Sequence, residues 1–290
     1  MEKEDVRRKI YAKVDEIPTL PAVIPRLLSL MEDERSDAAR IAALISTDPA
    51  LTSKILKVSN SAYYGFSREI SSLGLAVSLL GIKMVKSLAL SIGVIRCLPS
   101  EGGVGDFSAE GLWRHSAAVA ALMQVMGERR RRGEGGGESL FVLGLLHDIG
   151  KVVLDQYFGD LFRKALEKAR QRGSASLYLA EREAIGLDHG EVGEILLRRW
   201  KFPERISGAV GRHHRENGAQ GETARDAAMV RVANALAQQA GMGEEGNPVP
   251  PGVSRRDLDM LGMDDAAVED LRAYLTEAGE RISGLLTMMT

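Results

Sequence analysis

Apolar residues recur along the chain at i, i+3 and i+4, and no stretch of four or more alternating positions carries a β-branched majority. That pattern predicts helices and no sheet. Val23, Ile24, Leu27, Leu28 and Met31 follow Pro21 at helical spacing and predict a helix beginning near that proline. A second starts at Ser36 or Asp37 and carries Ile41, Leu44 and Ile45. Asp48, as an N-cap before Pro49, opens a third with Leu51, Ile55 and Val58 on its stripe, which Asn60, Ser61 and Gly65 end. Residues 71–96 give two more, broken at Gly81.

The segment CLPSEGGVGDFS separates these five helices from a second half. Ser108 caps a helix from about Ala109 to Glu128, with Leu112, His115, Val119, Leu122 and Met126 on one face, so His115 points inward. GERRRRGEGGGE, residues 127–138, reads as a loop whose arginines are a solvated charge run. The stretch LFVLGLLHDIGK, 140–151, drives a His and an Asp to the end of an apolar run and then presents a Lys. VVLDQYFGDLFRKALEKARQRG follows as two helical pieces. DHGE, 188–191, has the form of a capping box with His189 at the first helical position. Pro203 opens a helix with His213 and His214 at its far end, and Thr223 with Asp226 suggests a capping box opening the helix that carries Asn234. Residues 244–252 are linker-like, and a helical tail runs from Asp264.

Composition agrees with an all-α chain: aromatics are 5% of 290 residues, while Ala and Leu abound. The net charge of -2 provides no global basic field, which argues against a general nucleic-acid binder. Cys97 is the single cysteine, so no internal disulfide forms and a reducing compartment fits. The opening MEKEDVRRKI lacks the apolar core of a signal peptide, and the run around Leu88–Leu98, broken by Ser91 and Arg96, is too short to span a bilayer. A soluble, cytoplasmic protein is expected.

The chemistry sits in the histidines. A His-Asp pair alone recurs by chance, but all five histidines fall between residues 115 and 214, at helix ends or on apolar faces. Imidazole with carboxylate suits Fe, Mn or Zn, whereas Mg prefers oxygen ligands. On a helix, His147 and Asp148 would project about 100° apart, so that each faces one of two ions or both hold one. A carboxylate shared by two ions is a usual device of phosphoester hydrolysis, and Lys151, one turn beyond His147, could meet a phosphate oxygen. The bland alternatives are a core histidine at 115, an exposed first-turn residue at 189, a polar helix end at 213–214 and a helix-end charge at Lys151. Taken jointly, the cluster favours a metal site.

The order His115, His147-Asp148, His189, His213-His214 resembles the ligand order of the HD phosphohydrolase superfamily, especially its HD-GYP branch of cyclic dinucleotide phosphodiesterases. IPTLPAVIPRLLSL, DPALTSKILKVSNSAYYG and ISSLGLAVSLLGIKMVKSLAL resemble the HDOD family, the HD-related output domains of bacterial signalling proteins. The likeness spans about residues 10–240. It implies a two-lobed all-α protein: an N-terminal helical lobe (1–107) packed on an HD-like lobe (108–241), with 242–290 a linker and a docking C-terminal helix. It implies a signalling module that works by binding a protein partner or ligand. The alternative is a metal-dependent phosphohydrolase of nucleotides or cyclic dinucleotides, with Asp148 and Lys151 catalytic. A di-iron oxygenase is a third reading. The ligand set carried over is His115, His147, Asp148, His189, His213, His214 and Asn234, for one or two ions of Fe, Mn or Zn. Asn234 stands where the enzymes have an Asp and is a weaker, neutral ligand. No DGxGYP-like stretch follows His213-His214, which counts against cyclic dinucleotide hydrolysis.

Overall fold

The computed structural model describes residues 3–30, 37–98, 103–105, 107–130, 137–172, 177–215, 221–243 and 246–289. Among them every regular element is a helix. The N-terminal lobe contains α1 (Lys3–Glu16), α2 (Val23–Ser29), α3 (Ala38–Ser46), α4 (Pro49–Ser59), α5 (Leu73–Leu80) and α6 (Ile82–Ile95). The second lobe contains α7 (Ala109–Arg130), α8 (Gly137–Leu146), α9 (Ile149–Arg172), α10 (Leu177–Ala184), α11 (His189–Arg199), α12 (Glu204–Arg212) and α13 (Gly221–Gln239). Two further helices, α14 (Arg255–Leu261) and α15 (Asp265–Met289), complete the chain.

Local capping explains several of these starts. Asp48 accepts a hydrogen bond from Leu51 N at 2.9 Å with Pro49 in the first turn, and Asp37 accepts from Arg40 N at 2.6 Å. Ser108 Oγ accepts from Gly111 N at 2.9 Å, and Asp188 with Glu191 forms the anticipated capping box. The two helical pieces expected after residue 151 are present within α9, separated by the non-helical backbone of Phe158 (φ -135°, ψ 31°).

Three expectations change. α1 precedes the first anticipated helix: Val6, Ile10 and Val14 are buried, but the stripe is one residue wide in a charged background and gives a weak periodic signal. α2 starts at Val23, near Pro21 as expected, and Met31 and Ser36 lie outside the described residues. Thr223 is inside α13, not at its cap, because Asp226 is taken by the Arg205 guanidinium at 2.5 and 3.0 Å. α14 falls between linker and tail, where Leu258 was too little apolar pattern to announce it. Of the arginine-rich segment, α7 reaches Arg130 and α8 begins at Gly137; residues 131–136 lie outside the described residues.

A single apolar core runs through both lobes. α6 is buried from Val85 to Ile95 and packs against α8, while α1 packs on α11. There the Arg199 guanidinium donates to Asp15 O (2.5 Å) and Ile17 O (2.6 Å), and Trp200 Nε1 donates to Pro18 O (3.2 Å). α15 lies along α7 and reaches α4, where the hydroxyls of Tyr63 and Tyr274 meet at 3.2 Å. Gly144 lets α8 cross α7 closely, since a Cβ there would lie 2.7 Å from Ala120 Cα. No single helix among the described residues is long and apolar enough to cross a membrane.

Within the NSAYYG segment, Asn60 clasps the chain ten residues on. Its Oδ1 accepts from Ile70 N (2.7 Å) and its Nδ2 donates to Ile70 O (2.9 Å). Asn60→Ala should lower stability by roughly 1–3 kcal/mol, because the backbone groups of Ile70 lose both partners. Urea denaturation checks this, and a change within about 0.5 kcal/mol, the range of an ordinary surface substitution, would contradict the role given to the clasp.

Candidate metal centre

α8 ends at Leu146 and α9 begins at Ile149, so His147 and Asp148 occupy the turn between two helices. They are not neighbours on one helix, and the 100° separation does not apply. The turn is tight because α9 starts against the first residues of α11. A Cβ on Gly150 would stand 1.9 Å from His189 O and 2.8 Å from Gly193 N, so only glycine permits this contact. His189 is the first residue of α11, His213 and His214 follow the end of α12, His115 comes from within α7 and Asn234 from within α13.

These elements bring all five imidazoles together. Ring centroids are 5.4 Å apart for His115–His147, His147–His213 and His189–His213, and 3.9 Å for His213–His214. Two donor groups emerge, each with ligand atoms within 4.8 Å of one another: Asp148 with His189, His213 and His214, and Asp148 with His115 and His147. Asp148 belongs to both.

For two of the rings the hydrogen bonds show which nitrogen carries a proton. His147 Nδ1 lies 2.8 Å from Gly144 O and His213 Nδ1 lies 2.6 Å from Val210 O; a carbonyl only accepts, so both Nδ1 atoms donate. The opposite Nε2 atoms are buried with no hydrogen-bond partner, yet they stand 3.4 and 3.5 Å from the Asp148 carboxylate. Burial pushes the His213 pKa down to about 4, so its ring is neutral near pH 7. At His213 a lone pair therefore faces a carboxylate oxygen. A cation between them resolves that arrangement, and nitrogen with carboxylate oxygen is the donor set of a transition-metal ion.

His189 is held from behind by Glu181, whose Oε2 accepts from its backbone N (2.9 Å) and its Nδ1 (2.6 Å). Its Nε2 is 3.1 Å from Asp148 Oδ1 and 2.6 Å from His214 Nε2. Burial works to lower the His189 pKa, but Glu181 and Asp148 outweigh it and raise the value to about 10. His214 is driven well below the usual range by burial and by its imidazole neighbours. Burial also disfavours the Asp148 anion, but His147, Lys151 and His189 hold its carboxyl well below the ordinary range. Lys151 Nζ bonds Asp148 Oδ2 at 2.7 Å and is 1% exposed, so it points at the carboxylate and not into solvent.

Asn234 Oδ1 lies 2.8 Å from His115 Nε2 and accepts from Gln238 Nε2 at 3.0 Å. Glu181 and Gln238 were not anticipated. The spacing Leu177, Ala180, Glu181, Ala184 does put a carboxylate on the core face of α10, and that buried glutamate was a readable signal. Tyr178, on the same helix, stacks its ring on His214 with centroids 4.6 Å apart and planes 5° from parallel. A cleft of about 310 Å³ reaches His213 and His214, walled by Tyr178, Arg231, Asn247 and Ser254. Arg231 is anchored there by two bonds to Asp257, at 2.5 and 2.7 Å.

Residues 17–216 match the family profile described as the HDOD domain. The chain belongs to the HDOD family. The match ends just past His214, so α13 with Asn234, and the cleft wall beyond it, lie outside the HDOD profile. An HDOD domain protein of unknown function from Geobacter sulfurreducens is 25% identical, with a TM-score of 0.79 over 99% of this HDOD chain and 97% of its own. A Shewanella amazonensis protein provisionally named a phosphohydrolase is 22% identical, with a TM-score of 0.75 over 97% of this chain and 98% of its own, a likeness of fold alone. An uncharacterized protein of Treponema pallidum is 26% identical over 209 residues, covering 71% of this chain and 39% of the relative. The chain thus spans about two fifths of that curated relative's length.

Proposed function

We propose that this HDOD protein is a cytoplasmic bacterial signalling module that binds a divalent transition-metal ion, Fe, Mn or Zn, in its His–Asp cluster. Its N-terminal lobe, 1–107, meets a signalling partner, while the lobe 108–241 carries the centre and 242–290 docks against both. The observation that carries the reading is the buried Nε2 lone pair of His213 facing the Asp148 carboxylate, beside the buried, unpartnered Nε2 of His147. Leaving such acceptors unpaired is costly, and a metal ion turns the cost into coordination.

Asp148 with His189, His213 and His214 would hold the ion, which would supply Lewis acidity and a cross-link between α9, α11 and α12. The chain's own residues prepare the place. Gly144 and Val210 carbonyls fix the tautomers of His147 and His213. Glu181 orients His189, and Lys151 keeps Asp148 ionised. A second reading, a phosphohydrolase of nucleotides or cyclic dinucleotides, draws on the cleft that ends at His213 and His214 beside Tyr178 and Arg231. In that reading Asp148 and Lys151 are catalytic.

Protein purified without chelator should contain Fe, Mn or Zn by elemental analysis. Adding ion to about a hundred times its Kd should add about 2.7 kcal/mol of stability, and chelator should remove it. No bound metal together with no thermal shift would leave the histidines structural. Release of product from a phosphodiester such as bis(p-nitrophenyl) phosphate, lost in Asp148→Ala, would separate the enzyme from the scaffold. Glu181→Gln keeps the shape of the side chain but weakens its hold on the His189 N–H; metal affinity should fall about tenfold or more. Unchanged affinity would remove Glu181 from the centre.

A further inference from the structure

We infer that the centre holds one ion, seated among Asp148, His189, His213 and His214, and that the position beside His115 is filled by an amide clasp made from Asn234 and Gln238. This deepens the metal-binding reading and rests on it.

The two donor groups that share Asp148 differ in what their atoms already do. In the first, three imidazoles direct Nε2 toward the same carboxylate oxygen or toward one another: His189 and His213 stand 3.1 and 3.5 Å from Asp148 Oδ1, and His214 Nε2 lies 2.6 Å from His189 Nε2. His213 Nε2 is buried without a hydrogen-bond partner. Glu181, bonded to the far nitrogen of His189, adds a second carboxylate behind this group. Such a partner on the outer nitrogen is how imidazole ligands are oriented and made better donors.

On the other side His147 Nε2 also faces Asp148, 3.4 Å from Oδ2, but His115 turns its Nε2 to an amide. His115 Nε2 is 2.8 Å from Asn234 Oδ1, which also accepts from Gln238 Nε2 at 3.0 Å. An amide oxygen has two lone pairs, and both are used. Since the oxygen can only accept, His115 Nε2 carries the proton and offers no lone pair to an ion. Gln238 stands one turn after Asn234 on α13, so the three side chains tie α13 to α7. The fixed charge nearest the Oδ2 edge of Asp148 is the Lys151 ammonium at 2.7 Å. A second divalent ion would enter beside that cation, and neither Asn234 nor Gln238 brings a negative charge. Burial makes such an imbalance severe. Sequence alone marks Asn234 as a weaker ligand; the geometry makes it a plug.

Titration of the full-length, metal-stripped protein with Co(II) decides the matter, with bound metal measured by equilibrium dialysis and the ligand field followed by visible absorption. Saturation at one equivalent in a single phase is the expected result. Saturation at two equivalents overturns the one-ion assignment and leaves metal binding intact, whereas no binding at all overturns the underlying reading. Asn234→Asp, with its melt compared to the parent, should raise saturation toward two equivalents; a folded variant that stays at one shows that the amide is not what excludes the second ion. A variant of a different kind covers the case in which Asn234→Asp does not fold. His115→Gln, which can still donate to Asn234 Oδ1, should leave Co(II) affinity within about threefold, while His214→Ala weakens it at least tenfold, the scale on which centre residues act. Equal losses in the two variants would overturn the assignment.

Discussion

Asp148→Ala is expected to destabilise the metal-free protein by roughly 3–5 kcal/mol, the cost of removing one partner of a buried ion pair, and to abolish metal uptake. Asp148 is 2% exposed, and its oxygens face the Lys151 ammonium at 2.7 Å and His189 Nε2 at 3.1 Å. Both cationic groups lose the carboxylate that faces them. Lys151→Met in the same chain should restore much of the loss, because replacing both members of a buried pair by apolar groups is often near neutral. Urea midpoints of the parent, the single and the double variants give the comparison. A single variant within about 1 kcal/mol of the parent, or a double variant no better than the single, would show that the pair is not what holds this turn.

Gly150→Ala should be nearly as damaging, for a steric reason. The added methyl would sit 1.9 Å from His189 O and 2.8 Å from Gly193 N, and these are backbone atoms that cannot rotate aside. α9 and α11 must separate, at a cost of about 3 kcal/mol at the upper end of overpacking, and His189 is carried away from Asp148. Metal affinity should therefore fall together with stability. Gly284→Ala is the matched control: it lies within α15 with nothing within 4 Å of the new methyl, so it should raise stability by about 0.5–1 kcal/mol. If Gly150→Ala melted like the parent, the close approach of the two helices would not be a requirement of the site.

Much of the helical framework was legible because caps and stripes act over short distances. Asp48 with Pro49, Ser108, and Asp188 with Glu191 each bond within three residues of themselves, and the structure has each where the pattern put it. Thr223 had the same form and failed, because Arg205, from another helix, competes for Asp226. The histidines were found by their crowding into one half of the chain. Glu181 and Gln238 were missed because a polar residue on a core face takes its meaning from what it meets there, and neither carries a motif.

The sequence by itself determined that this is an all-α chain of the HDOD family, with its candidate chemistry confined to residues after 114. Those features follow from 3.6-residue periodicity, from local caps and from motif order. Only the tertiary structure decided that His147 and Asp148 sit in a turn, that Lys151 faces the carboxylate, and that His115 bonds Asn234 from 119 residues away. The ring nitrogen that His147, His189 and His213 turn inward depends on a backbone carbonyl or the Glu181 carboxylate brought up by packing. Helical periodicity carries no record of how distant helices cross, so that choice belongs to the fold.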